Sequence, residues 1–116
     1  MNIEAINEAA AEIANIAVSK GWEDMEESDS EIVKTFIANA HGEVSELWES
    51  FRRKTLHQQC DKETSQSLSC EEEELADLVI RALHFARRRG INIGRAIQIK
   101  SDYNKSRPYR HGGKQA

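Results

Sequence analysis

Apolar residues recur at three- and four-residue steps through most of this 116-residue chain, and its single proline, Pro108, lies near the C-terminal end. This spacing places apolar side chains along one face of a helix, whereas a half-buried strand would carry them at every second position. The longest stripe consists of Val33, Phe36, Ile37, Ala40, Val44, Leu47, Trp48 and Phe51. The pattern predicts an all-α fold without strands.

Local signals give the ends of four predicted helices. Gly21 and Gly90 are placed to stop a helix, and Ser28 and Ser69 each precede a glutamate three residues later, as in a capping box. Gly42 interrupts the second helix and suggests that another helix approaches closely there. The predicted segments are helices at about residues 3–19, 30–57, 70–89 and 92–106, a polar loop at 58–70 and a basic tail at 107–116.

The length of the chain predicts one domain, covering residues 1–116. Four helices barely enclose a core at this size, and the apolar stripes are wide. We therefore expect a homodimer or homotetramer in which paired helices complete a four-helix bundle. No apolar run approaches the ~20 residues of a membrane span, and no basic region precedes a hydrophobic segment. A cytoplasmic protein without a membrane partner is expected.

The net charge of −4 hides a division along the chain. Residues 1–86 contain 7 Lys and Arg against 19 Asp and Glu, whereas residues 87–116 contain 9 basic residues against one acidic residue. This division suits a protein that binds both cations and phosphates. It suits equally a non-catalytic helical module whose basic C-terminal tail binds nucleic acid or an acidic partner.

Two acidic pairs have a spacing that suggests a metal site: Glu43 with Glu46 in the second predicted helix, and Glu74 with Asp77 in the third. Residues three apart lie ~60° apart around a helix, and each pair flanks its apolar stripe on the same-handed side. Antiparallel packing of the two helices would bring the four carboxylates together. Oxygen ligands of this kind suit Mg²⁺, for which Mn²⁺ can substitute. The alternative is that they belong to solvated helix faces.

Two other kinds of metal site do not fit the residues. A di-iron carboxylate bundle needs Glu-x-x-His motifs, and none of the four histidines follows a glutamate by three residues. Cys60 and Cys70 match no common zinc spacing and are interpreted as reduced thiols.

The acidic pairs lie within residues 41–49 (HGEVSELWE) and 73–81 (EELADLVIR), and 27 residues separate Glu46 from Glu74. Over about residues 30–110 the chain resembles the MazG-like all-α nucleoside triphosphate pyrophosphohydrolases. The signature of that family is Glu-x-x-Glu, a spacer and Glu-x-x-Asp. The C-terminal sequence resembles that of small single-domain members, including phage proteins.

The resemblance implies that Glu43, Glu46, Glu74 and Asp77 bind Mg²⁺. It also implies hydrolysis of a (d)NTP between the α- and β-phosphates to a monophosphate and pyrophosphate. Asn15 and the phage-like C-terminal sequence make a purine such as dGTP a candidate substrate. Glu46 is the expected proton acceptor, and Glu43 is the second catalytic candidate. The reaction would take place in a bacterial or phage-infected host cytoplasm, and no nucleic-acid partner is expected.

Residues near the C-terminus supply candidates for phosphate and sugar binding: Lys100, Tyr103, Asn104, Arg107, Arg110 and Lys114. Lys100, Asn104 and Arg107 share one helical face, and a Lys/Asn/Arg set on the last helix contacts phosphate and sugar in the family that the chain resembles. Arg110 and Lys114 are expected to reach the outer phosphates. The alternative for the tail is a solvated terminus.

Asn15 and Trp22 are candidates for base recognition. An amide can pair with a base edge, and an indole can stack on a base face. In related proteins the N-terminal helix and the loop after it contribute to the nucleoside pocket. The alternatives are that Trp22 fills the core and that Asn15 lies on the surface.

Overall fold

The computed structural model describes residues 1–60 and 67–109. Its helices are α1 (Ile3–Ser19), α2 (Asp29–Arg52), α3 (Cys70–Arg88) and α4 (Ile93–Ser106). The all-α class is confirmed, since the only strand-like pairing in those two ranges is a single bridge between Gln59 and Ser69. None of the helices in them is both long and apolar enough to cross a membrane.

The predicted N-terminal caps are present. The Ser28 and Ser69 side chains accept hydrogen bonds from the backbone N–H groups of Glu31 and Glu72. The Glu72 carboxylate in turn accepts from the Ser69 backbone N–H at 3.0 Å, which completes a capping box. That bond holds the pKa of Glu72 below its usual value. Asn92 caps α4 through the N–H of residue 95, at 3.1 Å.

Glycines end α1 and α3 as predicted. Gly21 and Gly90 have φ values of 71° and 65°, the left-handed conformation that lets the chain turn back on the helix end. At α1 the N–H of Trp22 donates to the Ala17 carbonyl at 2.9 Å, which satisfies one of the last carbonyls of the helix.

The prediction that the second helix extends to residue 57 is wrong, because α2 ends at Arg52. Lys54 takes a φ of 60°, and the N–H of Thr55 donates back to the Ser50 carbonyl at 2.9 Å. This is the same helix-ending geometry as at the two glycines. A lysine seldom adopts it, so the sequence pattern alone predicts that the helix continues.

The connection from α2 to α3 contains a short antiparallel pairing within the predicted loop. The N–H of Cys60 donates to the Leu68 carbonyl, and the N–H of Cys70 donates to the Gln58 carbonyl, both at 2.8 Å. These bonds bring the two ends of the connection together and return the chain to the start of α3 beside the end of α2.

Helices α2 and α3 run antiparallel. Along α2 the contacts pass from Phe36 to Glu43, while along α3 they pass in the reverse direction, from Phe85 to Arg81. The Phe36 and Phe85 rings are stacked with their centroids 4.2 Å apart. Helix α3 also packs against α1, and α4 packs against α1.

A glycine allows α4 to approach α1 closely. A Cβ atom on the buried Gly94 would lie 2.5 Å from the Ile3 carbonyl oxygen. The Asn7 side chain joins the two helices, since its Oδ1 accepts from the Gly94 N–H at 2.9 Å and its Nδ2 donates to Asn92 at 2.8 Å. The close approach predicted at Gly42 is wrong, because a Cβ there meets no described atom within 4 Å.

The apolar core is thin and consists mainly of small residues. The buried apolar residues are Ala10, Ala14, Ala17, Ile32, Cys60 and Ala86. No large side chain in the described ranges is fully buried. Several large apolar side chains of α2 and α3 are instead about half exposed: Ile37, Val44, Trp48, Phe51, Leu75 and Val79. The wide stripes are therefore only partly covered within one copy of the chain.

Candidate metal centre and adjoining cavity

Three of the four predicted metal ligands lie together at the contact between α2 and α3. Each of Glu43, Glu46 and Glu74 has a carboxylate oxygen within 4.8 Å of those of the other two. Glu43 and Glu46 are neighbours on α2 because they are three residues apart, and the antiparallel packing brings Glu74 to them. Glu43 and Glu74 are each 7% exposed, whereas Glu46 is exposed to solvent.

The fourth predicted ligand, Asp77, lies outside this group of three. It is half-buried and lines a cavity that also contacts Glu43 and Glu46. Its position one turn after Glu74 on α3 places it beside the cluster rather than within it.

Glu43 is paired on one oxygen only. Its Oε1 accepts a hydrogen bond from the Arg81 guanidinium Nε at 2.7 Å. Its Oε2 is buried and accepts no hydrogen bond from the described residues. A buried carboxylate oxygen without a donor destabilises the fold by about 1–3 kcal/mol or more, and a cation would supply the missing partner. The cluster therefore fits a hard divalent ion such as Mg²⁺ or Mn²⁺.

The cavity beside the cluster has a volume of about 640 Å³ and lies between α1, the α1–α2 loop, α2 and α3. Its acidic part contains Glu43, Glu46 and Asp77. The apolar part of its wall includes Ile13, Ile16, Trp22, Phe36 and Phe85. Phe36 precedes Glu43 by seven residues, or ~10 Å along the helix. A single small molecule about 10 Å long could therefore contact both the acidic and the aromatic parts of the cavity.

His84 presents a buried polar atom in this cavity wall. Its Nε2 makes no hydrogen bond with the described residues, and the closest acidic group, Glu23 Oε2, is 3.7 Å away. That separation is too long for a hydrogen bond. The imidazole therefore has a buried nitrogen that is left without a hydrogen-bond partner among the described residues.

Arg88 fixes the loop that forms one side of the cavity. Its guanidinium donates to Glu23 at 3.1 Å, to Glu27 at 2.7 Å and to the Asp24 carbonyl at 2.6 Å. Thr35 also donates to Glu27, at 3.0 Å. The hydrogen bond from Arg88 is the main reason why the pKa of Glu27 lies below its usual value. The loop is thereby held against α3.

The structure does not bring the predicted phosphate-binding residues of α4 to the acidic cluster. None of Lys100, Tyr103, Asn104 or Arg107 lines the cavity. They form a separate surface in which Lys100 Nζ lies 4.7 Å, and Arg107 Cζ 5.7 Å, from the centroid of the Tyr103 ring. Arg110 and Lys114 lie outside the described residues.

The structure separates the two residues predicted to bind the base. Trp22 lines the cavity and is 73% exposed, so it is not a core residue. Asn15 is exposed and does not line the cavity. It follows Ile13 by two residues, so its side chain points ~160° away from that cavity residue.

Sequence reasoning missed Arg81 and His84. Arg81 follows Glu74 by seven residues and Asp77 by four, a spacing that places all three on one face of α3. That spacing could have identified Arg81 as a site residue. Nothing local distinguishes His84, because its position in the cavity depends on packing between helices.

No protein-family model, curated protein or solved structure matches this chain.

Proposed function

We propose that the protein is a metal-dependent hydrolase that cleaves (d)NTPs between the α- and β-phosphates. The observation that carries this proposal concerns the buried Oε2 of Glu43, which accepts no hydrogen bond from the described residues and lies within a group of three convergent glutamates. The adjoining cavity supports it, because its volume of about 640 Å³ falls in the range of small-molecule sites.

In this proposal Glu43, Glu46 and Glu74 hold Mg²⁺, and Asp77 lies beside them. The bound ion would neutralise phosphate oxygens and acidify a water molecule. Glu46, the exposed member of the group, accepts the proton of the water that attacks the α-phosphorus. The new bond joins the water oxygen to that phosphorus, and pyrophosphate leaves with the electron pair of the broken bond.

The apolar part of the cavity is the proposed site for the nucleoside. The stacked Phe36 and Phe85 rings and the indole of Trp22 offer surfaces against which a base can pack. His84 also lines the cavity, and a turn of its ring toward the cavity would let the buried Nε2 form a hydrogen bond to a base edge. A purine such as dGTP remains the candidate substrate.

We also propose that two copies of the chain associate through the exposed apolar face of α2 and α3. Trp48 on this face and Glu46 in the cluster are two residues apart and point ~160° from each other. Association there would therefore cover apolar surface without closing the cavity. Lys100 and Asn104 of α4, and Arg107 directly after it, would need a further copy, or a movement of α4, to reach a bound phosphate.

The test is pyrophosphate release from each common NTP and dNTP, measured with Mg²⁺ and with EDTA. We expect metal-dependent turnover, and a loss of about 10²-fold or more in Glu43→Gln. Glu49→Gln is the matched control, because Glu49 lies on the same helix and bonds only to Arg52 and Arg53 among the described residues. It should keep full activity.

Two outcomes would contradict the proposal. Full activity in Glu43→Gln would show that the acidic cluster is not the site. No turnover of any nucleotide, together with salt-sensitive and metal-independent binding of an oligonucleotide, would favour the non-catalytic module with a basic tail.

A further inference from the structure

We propose that Arg81 is an exchangeable counter-charge, which pairs with Glu43 in the metal-free protein and moves to the substrate's phosphates once a divalent cation is bound. This inference rests on the proposed function and adds a phosphate-binding residue to it. The structure provides three observations that bear on Arg81: its single hydrogen bond, its exposure and its place in the cavity wall.

Arg81 is loosely held compared with the other arginine of the cavity. Its Nε donates to Glu43, and its two Nη groups make no hydrogen bond with the described residues. Its side chain is 42% exposed. Arg88 uses all three of its guanidinium nitrogens within the protein and is 11% exposed. Arg81 can therefore change partner without breaking a network, whereas Arg88 cannot.

The partner of Arg81 is a residue that a cation would also use. Glu43 contributes one of the three oxygens that lie within 4.8 Å of one another, and Arg81 donates to the same carboxylate at 2.7 Å. A guanidinium and a divalent ion that bind to one carboxylate would lie close enough to repel each other. Arg81 and the cation therefore compete for Glu43.

The cavity gives Arg81 a second partner within reach. It lines the same cavity as Asp77 and Glu46, beside which the proposed triphosphate would lie. The two Nη groups form a fork that matches two phosphate oxygens, and such charge-assisted pairs are among the strongest hydrogen bonds in proteins. Exchange of Glu43 for phosphate keeps the guanidinium paired in both states.

The first experiment measures Mn²⁺ binding without nucleotide at a fixed pH, from the loss of the electron paramagnetic resonance signal of free Mn²⁺. Arg81→Met removes the competing charge, so we expect it to bind Mn²⁺ about three- to tenfold tighter than the wild type. Arg81→Lys keeps the charge and should bind Mn²⁺ like the wild type. Arg87→Met is the matched control on the exposed side of α3 and should also be unchanged.

The second experiment measures binding of the α,β-methylene analogues of the common dNTPs at saturating Mn²⁺. Arg81→Met should bind them about tenfold more weakly, Arg81→Lys to an intermediate degree and Arg87→Met like the wild type. The two effects of Arg81→Met thus have opposite signs, which a general loss of folding cannot produce. Thermal unfolding of each variant is recorded, and Arg81→Lys carries the nucleotide comparison if Arg81→Met unfolds.

Unchanged or weaker Mn²⁺ binding by Arg81→Met would overturn the competition. Unchanged analogue binding by Arg81→Met, in the presence of analogue binding by the wild type, would overturn the phosphate contact and leave the proposed function intact. A wild type that binds Mn²⁺ but none of the analogues would overturn the proposed function, and the phosphate contact with it.

Discussion

Lys54 adopts a backbone conformation that suits glycine. It is the only non-glycine residue in the described ranges with a positive φ, 60°, and it occupies the position that Gly21 and Gly90 occupy at the ends of α1 and α3. A Cβ atom in this region of backbone space destabilises the fold by about 1 kcal/mol or more. The end of α2 therefore contains strain that the other two helix ends avoid.

Lys54→Gly should stabilise the protein. Removal of the side chain relieves the strain, partly offset by the greater freedom of glycine in the unfolded chain, so the free energy of unfolding should rise by about 0.5–1 kcal/mol. Urea denaturation at fixed protein concentration measures it. Gly90→Ala is the reverse control and should lose a similar amount. A fall in stability for Lys54→Gly would show that its conformation is unstrained.

Glu27 gives the protein a pH-dependent contact. Its pKa lies below the usual value of 4.5, chiefly because Arg88 donates to it. At pH values between the folded and the unfolded pKa of Glu27, the unfolded chain therefore binds more protons at this residue than the folded protein does. The stability from this contact is fully present above the unfolded pKa and is lost as the pH falls through the folded pKa.

Glu27→Gln should accordingly lower the Tm at neutral pH, and the difference from the wild type should shrink as the pH falls below about 4.5. Thermal unfolding followed from neutral to acidic pH measures this. Glu26→Gln, a change at the exposed neighbouring residue, should leave the profile unaltered. A constant difference across the whole range would contradict the assignment to Glu27 and Arg88.

At the scale of helices, α1 and α4 are joined by a contact that only glycine permits. Gly94→Ala would place a Cβ 2.5 Å from a backbone oxygen, which cannot move as a side chain can. We expect a loss of about 1–2 kcal/mol in unfolding free energy, even though alanine favours helix. Gly42→Ala, in open space on α2, should gain up to about 1 kcal/mol. Chemical denaturation of both variants checks the pair, and equal effects would contradict it.

The helices could be predicted wherever local residues decide their ends. Ser69, Gly21 and Gly90 act on their own turns, so the sequence predicts three of the helix ends closely. The end of α2 is different, because Lys54 takes a conformation that its residue type does not signal.

The same distinction applies to the site. Glu43 and Glu46 share a helix face through local spacing, and antiparallel packing is enough to add Glu74. The position of the α4 residues depends on where that helix packs, which is against α1, with Asn7 and Gly94 in direct contact. This packing places the expected phosphate-binding residues away from the cavity. No local sequence pattern predicts such a long-range contact, so the sequence alone could not show their separation from the acidic cluster.

At the scale of the whole molecule, a single copy of the chain is extended for its length. Its radius of gyration is 16.7 Å, whereas a compact domain of this size would have about 13 Å. The exposed apolar face of α2 and α3 is part of the surface that a more compact domain would bury. Trp48 lies on that face and is 60% exposed.

Trp48→Glu should convert the proposed oligomer to monomers, because a charge in an apolar interface is costly to bury. Sedimentation equilibrium or light scattering measures the mass, and we expect association to weaken by about tenfold or more. Ala38→Glu places the same charge on an exposed part of α2, ~120° around the helix from Val44, and should leave the mass unchanged. A monomeric wild type would contradict the proposed association.

Because α2 and α3 pair antiparallel, the contact between Phe36 and Phe85 also reports how the carboxylates of the two helices are aligned. The Phe36–Phe85 stack and the three glutamates belong to the same two helices. If one helix slid along the other, the ring stack and the acidic cluster would therefore change together. A slip of one helical turn is about 5.4 Å, larger than the 4.8 Å within which the three oxygens lie. A change at the aromatic rings that shifted the two helices by one turn would therefore separate the acidic cluster two turns away, without altering any residue in it.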